Sequence, residues 1–235
     1  MDRTNPSGRE GIVSGKLILV RHGQTEANVE RRLDTRLPGA RLTPEGLSQA
    51  ERLGTDLAAK AMTAALVSSQ ALRARQTARF VELASGIAVQ VREGLHEAQA
   101  GELEDRSDEE SHKLFMKTFH LWHTGELDAR VPGGESAHDI LERYVPVVDA
   151  LREQYLDDPA ESGDVVLVSH GAAIRLVAAQ LAGVPGLFAA NNHLANTQSV
   201  ELTPLAGGGW ECVRWGTVEP PFEHRVIPGA DDPMG

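Results

Sequence analysis

Two segments of this 235-residue chain end an apolar run on a His-Gly pair. "KLILV" leads into Arg21, His22 and Gly23, and "DVVLVS" leads into His170 and Gly171. Arg73 follows a further apolar run in "VSSQALRARQTA", and Glu97 follows another in "REGLHEAQAGELED". A neutral imidazole is a competent nucleophile toward phosphorus. A guanidinium has a planar fork that suits phosphate, and it is costly to bury near a strand end unless an anion meets it. Glycine after each histidine permits close backbone approach, and a helix beginning there offers free N–H groups to an anion. Two arginines, two histidines and two helix starts thus suit a compact dianion, a phosphoryl group first of all. A carboxylic acid with a raised pKa, such as Glu97, could protonate a departing alkoxide.

Each residue taken singly has a plainer reading. A histidine at a strand end is more often a hydrogen-bonded structural residue, Arg73 alone a helix-surface charge, and Glu97 alone a solvated loop residue. His22, His170 and Glu97 could also form a two-histidine, one-carboxylate metal site. Arg21 and Arg73 would repel a cation at that place, which ranks it below the anion site. The chain has no Walker-type Gly-rich lysine loop, no cysteine-rich metal spacing and no Ser-His-Asp signal.

The elements that must position these groups alternate. Lys16–Val20, Ala64–Ser68, Ile87–Val91 and Val165–Val168 read as short strands rich in Ile, Leu and Val, and Ser199–Leu202 and Glu211–Trp215 as two late strands. A helix can start after Gly23. Thr43 and Pro44 open another, as N-cap and first helical residue, with Leu47, Ala50, Gly54 and Leu57 at helical spacing. Gln70–Leu83 is helical. Ser136 and Asp139 form a capping pair before Ile140, Tyr144, Val147 and Leu151, in a helix that Pro146 should kink. Ile174, Val177 and Leu181 mark a helix face that stops at Gly183. Such alternation predicts a mostly parallel sheet covered on both faces, with ligands beyond the C-terminal strand ends. Both His-Gly pairs lie at such ends, so His22 and His170 should be neighbours on one rim. The segment from Glu102 to Arg130, with Phe115, Phe119 and Trp122, reads either as a lid over the site or as a plain amphipathic helix with Leu114, Thr118, Leu121 and Trp122 inward.

The apolar share of 41% is enough for a sizeable core. A net charge of -11 argues against broad binding to nucleic acid or anionic lipid. No apolar run approaches the roughly 18 residues of a membrane span, and "MDRTNPSGREG" lacks the apolar stretch of a signal peptide. Cys212 is the only cysteine, so no intrachain disulfide is possible and a cytoplasmic location is the default. Residues 1–15 are expected to be a flexible lead, 16–216 one domain, and 217–235 an extended Pro-rich tail.

Taken together, "LVRHGQTEAN", "SSQALRARQTA", "LHE", "PGGES" and "LVSHGAAIR" resemble, in order, the blocks of the histidine phosphatase superfamily, the phosphoglycerate mutase-like proteins. The resemblance spans residues 16–205. It implies an α/β fold, a three-layer α/β/α sandwich with a mixed sheet, and catalysis without metal or other cofactor. It implies that His22 is phosphorylated, that Arg21, Arg73 and His170 bind the phosphoryl group, and that Glu97 donates and accepts the proton. Gln24, Thr25, Asn28 and Gly171 would help line the pocket. One stretch departs from the pattern. Where many members carry a polar residue and then glycine, this chain has "RRLDTRLPGARLT". A carboxylate would repel phosphate, so Asp34 is not assigned to the pocket; Thr35 or Arg36 could compensate.

The expected activity is hydrolysis of a small phosphorylated substrate. A cofactor-dependent phosphoglycerate mutase is the alternative, but the chain lacks the mutases' early tryptophan block and has no Arg-Arg pair between Glu97 and His170. A non-catalytic phospho-ligand-binding protein is the third reading, and it is not expected to keep both nucleophile and acid. The acidic run "GELEDRSDEE" disfavours highly anionic substrates. The family habit and the Pro-rich tail allow a homodimer.

Overall fold

The computed structural model describes residues 15–158 and 163–223. The expectation of a flexible lead, but for Gly15, and that for the tail beyond Glu223 lie outside these residues.

Strand β1 (Leu17–Arg21) is buried along its whole length, as a strand with neighbours on both sides and helices on both faces must be. It pairs in parallel with β4 (Asp164–Ser169), which pairs in parallel with β2 (Thr63–Ser69). β2 in turn carries β3 (Val89–Arg92) at the parallel edge. On its other side β1 pairs antiparallel with β5 (Ser199–Pro204), which pairs antiparallel with β6 (Trp210–Trp215). The order is β3-β2-β4-β1-β5-β6, the mixed, mostly parallel sheet expected of an α/β sandwich.

Period-two alternation of side chains divides the core between the two faces of this sheet. Leu17, Leu19, Val165 and Leu167 face one way, into the larger cluster. That cluster also holds residues of α4 (Glu109–His123), α5 (Ala137–Tyr155) and α6 (Gly171–Ala182). Ile18, Val20, Val166 and Val168 face the other way. There they meet α2 (Pro44–Lys60) and α3 (Leu72–Ser85) through Leu53, Leu57, Ala74, Ala78 and Val81. Cys212, in β6, is buried in the larger cluster.

Most local signals hold, with instructive shifts. The helix after Gly23 is only α1 (Glu26–Val29), four residues long. Thr25 caps it, and the chain leaves it through a left-handed Arg31. In α2 the buried face is Gly46, Ala50 and Gly54, while Leu47 is exposed. Helix α5 continues through Pro146, on its exposed side, where water can serve the carbonyl the proline leaves. Its buried stripe uses Val148 rather than Val147. Phe115, Phe119 and Trp122 belong to the core, so the aromatic stripe of α4 packs the domain rather than covering a site. Leu114, expected inward, is exposed.

His123 sits in this core against the Phe119 ring. Neither of its nitrogens has a hydrogen-bond partner among the described residues. Burial, then Arg175 and His120, pushes its pKa down to about 3. The unfolded imidazole takes a proton near 6.5 and the folded one does not, so stability falls as pH drops from 6.5 toward 3. Between pH 7 and 5 this one site should cost about 2 kcal/mol. Urea unfolding of His123→Leu at the two pH values should show a correspondingly smaller loss than the parent chain.

Candidate active site

The register of β1 and β4 builds the site. Arg21 stands opposite Ser169, and the next residue on each strand is a histidine. The His22 N–H donates to the Ser169 carbonyl at 3.1 Å, and the two imidazole rings meet edge-on with centroids 5.3 Å apart. The expected neighbours on one rim are neighbours. His170 is also the N-cap residue of α6.

The His22 ring is oriented by its own turn. Nδ1 lies 2.8 Å from the Gly23 carbonyl oxygen and donates its proton there. The lone pair is therefore on Nε2, where the Nε–H of Arg73 donates at 3.1 Å. Burial, then Arg73 and Arg21, holds the His22 pKa well below its usual value. His170 is lowered likewise by burial, Arg73 and His22, and its Nε2 pairs with the Ser69 hydroxyl at 2.7 Å. Both imidazoles are neutral near pH 7, and His22 presents a free-base nitrogen.

Glu97 is buried and lies over the start of α6. Its carboxylate accepts the N–H groups of Ala98 at 2.7 Å, Ala173 at 2.9 Å and Ala172 at 3.2 Å. Burial raises its pKa, against these three donors and Arg73, which lower it. Such a group can hold a proton nearer neutrality than an exposed carboxylate. Arg143, on α5, clamps the segment carrying Glu97. Its guanidinium donates to the carbonyls of Gly94, His96 and Glu97 at 2.6, 2.8 and 3.1 Å. Its other edge meets Glu135 at 2.8 and 2.9 Å. Burial raises the Glu135 carboxyl, but His96 and Arg143 outweigh that and bring it to about 2.

His22, Thr25, Asn28, Arg73 and Glu97 line one narrow cleft with Ala27, Arg32 and Asp34. Arg21 and His170 are not among its lining residues, and Arg21 donates to the Leu194 carbonyl at 2.7 Å. Thr25 and Asn28 form a reciprocal capping box for α1. Gln24 does not line the cleft: its side-chain oxygen accepts the Thr43 hydroxyl at 2.9 Å, tying the turn to α2. Gly171 is buried as the first residue of α6. A Cβ on Gly46 would collide with the Gln24 carbonyl, and one on Gly23 with that of Gly46, so glycine is required at both for the turn to rest on α2.

The exclusion of Asp34 from this region is corrected. Its carboxylate lines the cleft and meets Arg73 Nη1 at 3.2 Å, because an ion pair with a buried guanidinium offsets the cost of burying either charge. Thr35 instead turns inward to Glu104 and the Ala100 N–H, and Arg36 is exposed. Several residues here gave no separate signal in the sequence. Arg32 stands at the mouth between Glu30 and Asp105. Thr77 accepts the Gly23 N–H at 3.0 Å, and Asn196 donates to the His22 carbonyl at 3.1 Å. A broader groove beside Leu72 and Phe80 is more open but holds no histidine.

Two neutral imidazoles in contact, a buried fork-shaped cation and a buried carboxylate, gathered at a narrow cleft, are the parts needed for phosphoryl transfer through nitrogen. A sequence profile described as histidine phosphatase superfamily (branch 1) matches residues 17–218, and the chain belongs to that family. Among its relatives is a probable phosphoglycerate mutase, GpmB, of Klebsiella pneumoniae, 30% identical in a 226-residue alignment that covers 92% of this chain and 98% of the relative. Another is the PE-PGRS family protein PE_PGRS11 of Mycobacterium tuberculosis, 30% identical over 206 residues. That match takes in 83% of this chain but only 35% of the longer protein. The solved structure of a mycobacterial glucosyl-3-phosphoglycerate phosphatase superposes with a TM-score of 0.73 at 26% identity, over 87% of this chain and 100% of its own.

The Arg143 clamp yields a test of how the loop bearing Glu97 is held. Arg143→Lys keeps the charge but cannot reach three carbonyls and Glu135 at once. Each lost charged hydrogen bond is worth about 1.5–3 kcal/mol, so amide hydrogen exchange across residues 95–99 should quicken by about tenfold or more. Mass spectrometry of the folded variant reads this out, with the β1 amides as the unchanged control.

Proposed function

We propose that this chain is a phosphomonoesterase that works through a phosphohistidine on His22. The observation that carries the reading is the His22 ring itself: neutral, with its Nδ1 proton committed to Gly23 and its Nε2 lone pair held only by the Arg73 Nε–H. In the first step the Arg73 Nε–H passes from that lone pair to a phosphoryl oxygen, and the lone pair attacks phosphorus. The ester P–O bond breaks, and the departing oxygen takes the proton of Glu97. In the second step water attacks the phosphorus, Glu97 takes back a proton, and the P–N bond returns its electron pair to Nε2. The sum is ester plus water to alcohol plus inorganic phosphate. Arg73, Arg21 and His170 offset the charge on the phosphoryl oxygens. Thr25 and Asn28 shape the entrance.

The cleft is narrow, so the phosphoryl group would enter it and the rest of the substrate would stay at the mouth. There Arg32 is already matched by Glu30 and Asp105. This favours a small phosphorylated metabolite with few further negative charges. The relatives named as probable phosphoglycerate mutases support a second reading, in which the phosphoryl group returns to a sugar acid instead of passing to water.

One assay separates these readings. The purified chain, with EDTA present, should release phosphate from p-nitrophenyl phosphate and from a panel of phosphorylated metabolites. His22→Ala should abolish release, and Glu97→Gln should lower it by roughly a hundredfold or more. Isomerisation of 3-phosphoglycerate without phosphate release would instead establish a mutase, and inactivity on the whole panel would remove both readings. The pH profile has a definite sign. His22 must be neutral, and its lowered pKa puts the acid limb below 6.5. Glu97 must be protonated for the first step, so phosphorylation should slow as pH rises through its raised pKa. Glu97→Gln should flatten that alkaline limb. Acid-labile phosphate recovered on His170 rather than His22 would overturn the assignment of the nucleophile.

A further inference from the structure

Asp34 and Glu97 are the two carboxyl groups that line the cleft, and Asp34 is the one paired with the arginine an anion would use. Its Oδ2 accepts Arg73 Nη1 at 3.2 Å and the Ala40 N–H at 2.8 Å, and its backbone carbonyl accepts Arg73 Nη2 at 3.0 Å. Arg73 Nε is engaged by His22. All three guanidinium nitrogens therefore have partners within the protein, two of them from residue 34. The carboxylate is held from two sides, the Arg73 side chain is almost fully buried, and Gly39 packs closely over Nη1. A phosphoryl group entering the cleft beside His22 must share Arg73 with a negative charge that stays in place.

We infer that Asp34 is an internal competitor for the phosphoryl-binding arginine, and that it keeps the site from holding inorganic phosphate tightly. This rests on the phosphatase reading of the cleft. The competition falls most heavily on the free dianion. Free phosphate carries its whole charge on its own oxygens, whereas in the transfer transition state the departing oxygen, served by Glu97, takes up part of it. The carboxylate therefore weakens product binding more than it weakens the transition state, which is the direction that favours turnover. Asp34 also keeps the Arg73 fork aligned on His22 when the cleft holds no phosphate.

The test compares the parent chain with Asp34→Asn, which retains the acceptor for Ala40 and the backbone carbonyl for Nη2. Asp34→Ser stands in if the asparagine variant fails to fold, as judged by thermal unfolding. Inorganic phosphate binding is measured by calorimetry, and phosphate and vanadate inhibition by hydrolysis of p-nitrophenyl phosphate. Removing one like charge at this range should tighten phosphate by about tenfold or more. A gain in affinity is something that mere loosening of Arg73 would not produce. Unchanged or weaker phosphate binding in the folded variant overturns the inference about Asp34 while leaving the phosphatase reading intact. A parent chain that neither hydrolyses the ester nor binds phosphate or vanadate overturns the phosphatase reading and this inference with it.

Discussion

Two parallel strands side by side, hydrogen-bonded with Arg21 opposite Ser169, govern everything at the rim. Because side chains alternate along a strand, a slip of one residue between β1 and β4 would exchange the two cores and separate the histidines. The apolar runs on both strands prevent that slip: Leu17, Leu19, Val165 and Leu167 belong to one cluster, and Ile18, Val20, Val166 and Val168 to the other. Packing thus sets the register, and the register sets the contact between His22 and His170.

Burying so many polar groups at one place has an electrostatic consequence. Arg73 is held by His22 and residue 34, Arg21 by the Leu194 carbonyl, and Glu97 by three backbone N–H groups. Each of these groups has partners within the protein, so the cleft does not need a ligand to be stable. The imidazoles respond by losing basicity. Without Arg73 beside it, His22 would more readily accept a proton and lose the lone pair that faces the cleft.

Much of this was legible in the chain before folding. The strands showed as Ile, Leu and Val runs, the helix starts as Thr43–Pro44 and Ser136–Asp139, and the shared rim as two His-Gly pairs at strand ends. These signals are local, and packing did not override them. What stayed hidden depended on contacts between distant segments. Asp34 looked unsuited to the cleft because its partner, Arg73, lies 39 positions away. Arg143 carries no signal of its own until α5 is laid against the turn at Gly94. Gln24, next to the histidine motif, faces Thr43 instead, since the side of the turn it occupies follows from how α2 sits on it. The aromatic stripe of α4 carried two meanings that periodicity alone does not separate, and burial of Phe115, Phe119 and Trp122 chose the core.

The carboxylate of Glu97 also completes helix α6, whose N-cap residue, His170, supplies no side-chain cap of its own. It takes the first free N–H groups there, at Ala172 and Ala173. An ionised carboxylate suits several such donors, while a carboxyl group must direct its own hydrogen elsewhere and accepts less strongly. The proton on Glu97 therefore has a second reader. That proton bears on the start of α6 as well as on the cleft, and the residue capping that start is His170, whose ring rests against that of His22.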